Sequence, residues 1–341
     1  MMLRIAALAC FALIPIAQAA TITVDTSSDQ FGEDTEKCGL REALQAAVTD
    51  AAFGGCPAGS ALLDTVELAG STYRLTRAGA GEDANATGDL DVSGDSIVII
   101  QGLGAHRTRI DGNGLDRVMD IAASAELEVY LLDLTITGGD SGNTDGGGVR
   151  MRGERLIVRR SHITDNVGRV GGGVYSTSGA DDVQVVESAV TRNIANGLGG
   201  GIHSAGGLTL INATISENLS TSNGGGLSSS GTARIKSTTI AFNSADSYGG
   251  AFLSAGSASI DNSLFANNRQ STNFNDDAAN LRCSMTVSSG GYNSYMSRDC
   301  PFTPFRTSDR REDPRLGTLV DAGRGAPVHL LMKSSPAIDS G

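Results

Sequence analysis

The middle of the chain repeats one short pattern of apolar, polar and glycine positions. Five glycine groups start 25, 28, 25 and 25 residues apart, and an apolar residue follows each group. Five asparagines keep the same phase, each three residues after an apolar residue. The glycine groups begin at Gly146, Gly171, Gly199, Gly224 and Gly249, and the asparagines are Asn166, Asn193, Asn218, Asn243 and Asn268. Two markers in one phase predict an internal repeat of about 25 residues.

Each repeat contains short runs in which apolar and polar positions alternate. Val183 and Val185 in one copy correspond to Leu208 and Leu210 in the next. Alternation with a period of two is typical of a strand with one buried face. Three short strands per repeat, joined by Gly, Asn and Ser turns, predict one coil of a right-handed parallel β-helix. Weaker copies lie between residues 65 and 137, so we expect an all-β solenoid of about eight or nine coils.

Stacked coils bring equal positions of the repeat into columns along the solenoid axis, about 4.8 Å apart. The five repeated asparagines are therefore predicted to form an inward ladder of amides that hydrogen-bond to one another. This structural role explains their recurrence better than a role in catalysis.

Residues 36–52 follow a different period. Leu40, Ala43, Leu44, Ala47 and Val48 fall on one face of a helical wheel, which is typical of an amphipathic helix. Because a solenoid has to protect its terminal strands from pairing with other chains, we expect this helix to cover the first coil as an N-terminal cap.

The first residues have the order of a secretory signal peptide. Arg4 precedes an apolar run from Ile5 to Ile16, and small residues at Ala17 and Ala19 follow it. We expect cleavage after residue 19 and an exported protein. The apolar run is too short for a membrane span of about 20 residues, and no later segment is long and apolar enough for one. The sequence around Cys10 does not favour a lipid anchor.

Loss of Cys10 with the signal peptide leaves four cysteines. An even number of cysteines in an exported chain indicates disulfides. Four cysteines allow three connectivities. Of these, the one between sequence neighbours pairs Cys38 with Cys56 and Cys283 with Cys300.

The composition narrows the classes of partner. A formal net charge of -12 argues against binding to nucleic acid or to anionic lipid, because both need a basic surface. The chain has no phosphate-binding loop, nucleophile elbow or metal-spaced Cys/His cluster, so we expect no cofactor and no metal. The acidic group Asp89, Asp91 and Asp95 has Ile100 where a calcium loop needs a bidentate glutamate, and we interpret it as a solvated turn.

One basic stretch stands out in this acidic chain. Arg150, Arg152, Arg155 and Arg159 could bind the sulfate or carboxylate groups of an acidic glycan through bidentate guanidinium contacts. The alternative interpretation is a solvated face without a ligand.

Many parallel β-helices cleave polysaccharides, so an enzyme is the main alternative. Asn143–Asp145, Asp181–Asp182, His203 and Arg234–Lys236 follow the order of four motifs of the polygalacturonase family. Carboxylates that flank a glycosidic bond lie within about 10 Å of each other. Asp145 and Asp181 have different phases in the repeat, one residue before and ten residues after the start of their glycine groups. The phase therefore argues against this site.

Local motifs resemble those of exported bacterial β-helix proteins. The segment 38–47, CGLREALQAA, resembles the CSLREA motif, with Gly39 where that motif has serine. Segments 249–252 and 265–268 resemble the GGA-[ILV] and F-x-x-N repeats of chlamydial polymorphic outer-membrane proteins. Segments 313–317 and 335–341 resemble the choice-of-anchor Q domain. These resemblances imply placement at the outer membrane, the cell surface or outside the cell, with adhesion-like roles and no known catalytic site.

The sequence as a whole predicts four parts: a signal peptide over 1–19, an N-terminal cap over 20–63, a solenoid over 64–270, and C-terminal coils with an anchor-like segment over 271–341. No sorting motif or terminal apolar helix follows, which predicts either a soluble member or an incomplete coding sequence. The expected function is a non-catalytic scaffold that interacts with a surface glycan or protein. The alternative is a lyase or hydrolase acting on acidic glycans.

Overall fold

The computed structural model describes residues 19–177, 182–254, 256–270, 281–283, 287–295, 302–321 and 325–338. These residues form an all-β parallel solenoid with a single described α-helix. The predicted signal peptide, over 1–19, lies outside the described residues except for its last position. None of the described helices is long and apolar enough to cross a membrane.

Each coil contributes one strand to each of three parallel sheets, and turns separate these three strands. Every strand pairs with the equivalent strand of the next coil. The eight-stranded sheet consists of Leu90–Val92, Met119–Ile121, Val149–Met151, Val174–Ser176, Ile202–Ser204, Leu227–Ser229, Phe252–Ser254 and Leu281–Cys283.

The ten-stranded sheet carries the longest strands. Its members are Ala20–Thr23, Leu63–Glu67, Ile97–Gln101, Glu128–Leu132, Arg155–Arg159, Asp182–Val186, Gly207–Ile211, Ala233–Lys236, Ala258–Asp261 and Val287–Gly291.

The nine-stranded sheet comes next in each coil. Its members are Thr72–Arg74, Arg109–Asp111, Thr135–Thr137, His162–Thr164, Ala189–Thr191, Thr214–Ser216, Thr239–Ala241, Leu264–Ala266 and Ser294–Tyr295. Five coils add a fourth, two-residue strand: Val167–Gly168, Ile194–Ala195, Leu219–Ser220, Ser244–Ala245 and Arg269–Gln270.

The predicted parallel solenoid is confirmed. The eight strands of the eight-stranded sheet enclose about seven full turns. This number is slightly below the eight or nine expected, because three N-terminal strands do not belong to a complete coil. No strand of the eight-stranded sheet precedes them in the chain. These strands are Ala20–Thr23, Leu63–Glu67 and Thr72–Arg74.

The repeating glycines are explained by the turn that precedes each strand of the eight-stranded sheet. The first glycine of a group has a positive φ, for example 66° at Gly199. The second has no room for a side chain: a Cβ at Gly200 would lie 2.4 Å from the carbonyl oxygens of Leu219 and Gly225. Glycine meets both requirements: a positive φ at the first position and a close backbone approach at the second.

The repeated asparagines form a buried chain of amides along the axis. In Asn218, Nδ2 donates to Asn243 Oδ1 at 2.9 Å, and the Asn218 backbone N–H donates to the same oxygen at 3.0 Å. Equivalent bonds join Asn166 to Asn193, Asn193 to Asn218, and Asn243 to Asn268. The backbone turns that carry Asn166, Asn193, Asn218 and Asn243 are thereby each tied to the next coil.

The described helix, α1, spans Leu40–Thr49 and is shorter than the predicted 36–52. It begins after Gly39, whose N–H donates to Glu42 Oε2 at 3.0 Å, and it ends at Asp50, which has a φ of 53°. The helix contacts Leu63–Glu67 and Leu90–Val92. The predicted disulfide between Cys38 and Cys56 is present beside it, whereas Cys300 of the other predicted pair lies outside the described residues.

An antiparallel hairpin of Leu316–Val320 and Val328–Leu331, called the C-terminal hairpin below, lies on the outer face of the nine-stranded sheet. Leu316 packs with Ala241 and Ala266, and His329 Nε2 is 2.7 Å from Ser216 Oγ. Pro327 reaches the neighbourhood of His162. The hairpin therefore runs back along the axis, across several coils.

Candidate functional site

The middle residues of the short strands in the eight-stranded sheet form a column of mostly ionisable or polar side chains. Leu90, Val92, Met119 and Ile121 flank this column and are fully buried, so the middle residues project from the outer face. Strand register aligns Asp91, Asp120, Arg150, Tyr175, His203 and Ser228 in that order. This face contains the residues best suited to acid–base chemistry.

The N-terminal end of the column is an acid–arginine cluster, formed by Asp89, Asp91, Asp120, Arg117 and Arg150. Arg150 Nε donates to Asp120 Oδ1 at 2.8 Å, and its second nitrogen bonds to Asp120 Oδ2. Arg117 donates to Asp89 Oδ2 at 2.8 Å. The three aspartates are 0%, 6% and 1% exposed, respectively. Arginines thus balance the negative charges of Asp89 and Asp120 inside the protein, whereas Asp91 accepts a hydrogen bond from the backbone N–H of Asn85.

The carboxylates of this cluster differ in their affinity for protons. Burial raises the pKa of Asp89 to about 6, against the opposing effect of Arg117. Burial and the charge of Asp89 raise the pKa of Asp91 to about 7. Burial alone would also raise the pKa of Asp120, but its hydrogen bond to Arg150 and the nearby guanidinium charges hold it below the ordinary value. Asp91 is therefore the carboxyl that most readily carries a proton near neutral pH.

A loop closes over this cluster. The backbone N–H of Asn85 donates to Asp91 Oδ2 at 2.9 Å. Arg41, itself 1% exposed, donates to the carbonyl oxygens of Gly88 and Asp89 and pairs with Asp29 at 2.8 Å. These contacts fasten the loop to the helix and keep bulk solvent from the buried carboxylates.

One group of carboxylates has the spacing of a metal site. Ligand oxygens of Asp83, Asp91 and Asp120 lie within 4.8 Å of one another. Asp120 Oδ2, however, accepts hydrogen bonds from both Arg150 and Arg152, the latter at 2.6 Å. A cation would have to compete with two guanidinium groups for this oxygen, so the donor set favours the ion pairs.

The four arginines predicted as a glycan-binding stretch are divided between two faces. Arg150 and Arg152 lie at the eight-stranded sheet and both pair with Asp120. Arg155 and Arg159 lie on the ten-stranded sheet and pair with Glu128 at 2.6 Å and Glu187 at 3.4 Å. The described structure therefore gives each of them an acidic partner on a neighbouring coil.

Farther along the column, Tyr175 and His203 stack with ring centroids 5.6 Å apart. Burial and the charge of Asp145 raise the pKa of Tyr175, and burial lowers the pKa of His203 while Asp145 opposes that shift. Asp145 and His203, which the order of motifs suggested, thus share this face. Arg234 lies on the ten-stranded sheet, and Asp181 is outside the described residues.

A second site lies between the nine-stranded sheet and described residues of the C-terminal hairpin. A cavity of about 260 Å³, called the hairpin cavity below, is bounded on the solenoid side by Arg109, Thr135, His162 and Arg192. His106 lines it from a neighbouring loop, and Leu319, Asp321, Gly325 and Pro327 close it from the hairpin. Cationic and imidazole groups from three coils therefore meet in one place.

Sequence reasoning missed this cavity because its histidines and arginines are far apart in the chain. A signal was present: Arg109, Thr135 and His162 are 26 and 27 residues apart, close to one repeat, and strand register aligns them. The position of the hairpin could not be read from that spacing, since the hairpin does not follow the repeat.

Comparisons of the whole chain with protein-family models, with curated proteins and with solved structures gave no match. The function is therefore argued from the residues and their geometry.

Proposed function

We propose that the chain is an exported, non-catalytic β-solenoid that serves as an interaction scaffold at the cell surface or outside the cell. The observation that carries this proposal is the state of the acid–arginine cluster. Its aspartates are nearly inaccessible, and Asp89 and Asp120 are held by arginines. Acid–base cleavage of a glycan needs carboxyl groups that reach the glycosidic oxygen and a water molecule. Asp89 and Asp120 instead link neighbouring coils through Arg117 and Arg150.

The sequence supports the exported location through the signal-like residues 1–19. The resemblances to CSLREA-type, choice-of-anchor Q and polymorphic outer-membrane proteins support a surface or adhesion role. The disulfide between Cys38 and Cys56 is consistent with an oxidising compartment. A rigid stack of coils with paired surface charges gives a scaffold for contact with a glycan or another protein.

One observation favours the alternative, a polysaccharide lyase or hydrolase. Asp145 Oδ1 and His203 Nδ1 are buried atoms without a hydrogen-bond partner among the described residues. Asp145 Oδ2 accepts from Arg169 at 2.8 Å. Asp145, His203 and Tyr175 are each half-buried, and they are the one place in the described part of the column where an acid, an imidazole and a phenol lie near one another.

The test is a turnover assay with pectate, alginate, hyaluronan and chondroitin, with and without calcium. Unsaturated products are followed by ultraviolet absorbance, and hydrolysis is followed by new reducing ends. We expect no turnover from protein whose circular dichroism shows folded β-structure. Turnover that disappears in His203→Ala but persists in Arg234→Ala, on the ten-stranded sheet, would overturn the scaffold proposal and locate the active site on the eight-stranded sheet. Cell fractionation and surface labelling test the location separately.

A further inference from the structure

Among the described residues of the hairpin cavity, Arg109 is an arginine with no acidic partner. Arg109 makes no side-chain hydrogen bond or ion pair with any described residue, although most other arginines of the coils are paired. Arg192, on the same wall, is engaged by Asp165 at 2.9 Å. Asp321 is the single acid among the described residues that line the cavity, and it belongs to the hairpin. The cavity thus offers a guanidinium that can receive an anion.

The hydrogen bonds around His162 determine which of its two ring nitrogens carries the proton when the ring is neutral. Thr164 donates its only hydroxyl hydrogen to Asp165 Oδ2 at 2.8 Å. The 3.2 Å contact between the hydroxyls of Thr164 and Thr191 therefore uses the hydrogen of Thr191. It follows that His162 Nε2, 2.8 Å from Thr191 Oγ1, is the donor in that contact. Nδ1 is left as the ring nitrogen that can accept a proton.

Charged groups of the neighbouring coils and of the C-terminal hairpin act on the pKa of His162. Burial and then Arg192 lower its pKa to about 4, Arg109 acts in the same direction, and Asp165 and Asp321 oppose them. The free cavity therefore holds a neutral imidazole beside two guanidinium groups. An anion in the cavity would reverse the balance, because a negative charge next to His162 favours its protonated form.

We propose that the hairpin cavity binds a compact anion bearing a sulfate or carboxylate group, held by Arg109 and His106, and that binding is coupled to proton uptake by His162. A guanidinium matches the planar pair of oxygens of such groups. The volume of about 260 Å³ is slightly below that of sites for drug-sized ligands, so the occupant is a single charged unit of a glycan or a free anion. The proposal names one ligand chemistry for the scaffold and rests on the proposed function only for its biological setting.

The experiment is isothermal titration calorimetry of the purified chain at pH 7.5 and pH 5.0. The probes are inorganic sulfate, N-acetylglucosamine 6-sulfate and galacturonic acid, with neutral N-acetylglucosamine as the control ligand. The two sulfates stay ionised across this range, so a change in their affinity reports on the protein. We expect saturable binding of the anions, at least tenfold weaker binding by Arg109→Gln, and unchanged binding by Arg269→Gln, which removes an exposed arginine far from the cavity. Equal affinity for both sulfates would support a free anion as the ligand, and preference for the sulfated sugar would support a glycan.

The pH dependence tests the second half of the proposal. We expect tighter sulfate binding at pH 5.0 than at pH 7.5, by about tenfold for each unit by which the anion raises the pKa of His162 within this range. His162→Gln keeps an amide donor for Thr191 and should reduce this gain, whereas His106→Gln should reduce affinity but retain the gain. No binding, equal binding of the neutral sugar, or equal weakening by Arg109→Gln and Arg269→Gln would refute the site. Retention of the full gain in His162→Gln would refute the proton coupling. Turnover in the polysaccharide assay would instead refute the scaffold and leave the cavity unaffected.

Discussion

Replacement of Asn218 by alanine tests whether the buried amide ladder holds the coils together. The Asn218 side chain donates to Val190 O and to Asn243 Oδ1, both at 2.9 Å. It also accepts from the backbone N–H of Asn193 at 3.0 Å and from Asn193 Nδ2 at 3.1 Å. The substitution removes all four hydrogen bonds and leaves the buried N–H of Asn193 without this partner.

The expected loss follows from these four bonds. Three of them contribute about 1 kcal/mol each, and the buried N–H that loses its acceptor costs about 1–3 kcal/mol, which gives a loss of about 4–6 kcal/mol in the free energy of unfolding. Asn196 is an exposed asparagine in the preceding coil, and Asn196→Ala should change stability by no more than about 0.5 kcal/mol.

The assay is urea denaturation of both variants and the parent chain, followed by circular dichroism. Because solenoids can unfold in parts, hydrogen exchange should be measured in parallel, and we expect the fastest new exchange in the coil that contains Asn193. A loss in Asn218→Ala within about 0.5 kcal/mol of that in Asn196→Ala would refute the view that the ladder stabilises the stack.

Three further predictions concern other parts of the fold. Cys38→Ser removes the disulfide that links residues 18 positions apart and should reduce stability by about 3 kcal/mol, and reductant should lower the melting temperature of the parent by more than that of the variant. Gly200→Ala places a Cβ against two carbonyl oxygens and should impair folding, seen as loss of soluble protein or of the β-sheet signal, whereas Ala substitution of exposed Gly114, whose Cβ meets no atom within 4 Å, should be milder. The pKa of Asp91 is about 7 in the folded chain and about 3.9 when unfolded, so the free energy of unfolding should fall as pH rises from about 4 to 7. Asp91→Asn should make the free energy of unfolding depend less steeply on pH. Urea denaturation at a series of pH values measures this dependence, and an equally steep dependence in the variant would contradict the prediction.

The repeat made the central coils predictable, because the backbone of each coil requires glycine and asparagine at fixed positions. Gly199 needs its positive φ, and Asn218 needs partners one coil away, so both recur at the period of the fold. Helix α1 was predictable from its apolar face, but its first residue was set by the contact between Gly39 and Glu42, which no periodicity shows.

The candidate sites were far less predictable. Arg150 and Asp120 are 30 residues apart, and their pairing depends on strand register. The loop that carries Asn85 closes over Asp91 without following the repeat, so sequence pattern indicated a solvated turn where the structure has a buried carboxyl group. The hairpin cavity joins His162 to Asp321 through a long-range contact that leaves no local signal.

The C-terminal hairpin changes how a stack of coils should respond to stress. In an ordinary solenoid each coil touches only its neighbours, so the last coil can peel away while the rest remains folded. Here Leu316 is packed near the C-terminal coils, and Pro327 lies beside His162, several coils closer to the N-terminus. The hairpin therefore links the end of the stack to coils near its middle. If the last coils unfold together with the hairpin, the contacts that the hairpin makes with the middle coils are lost as well. Force applied along the axis should therefore meet resistance distributed over several coils at once.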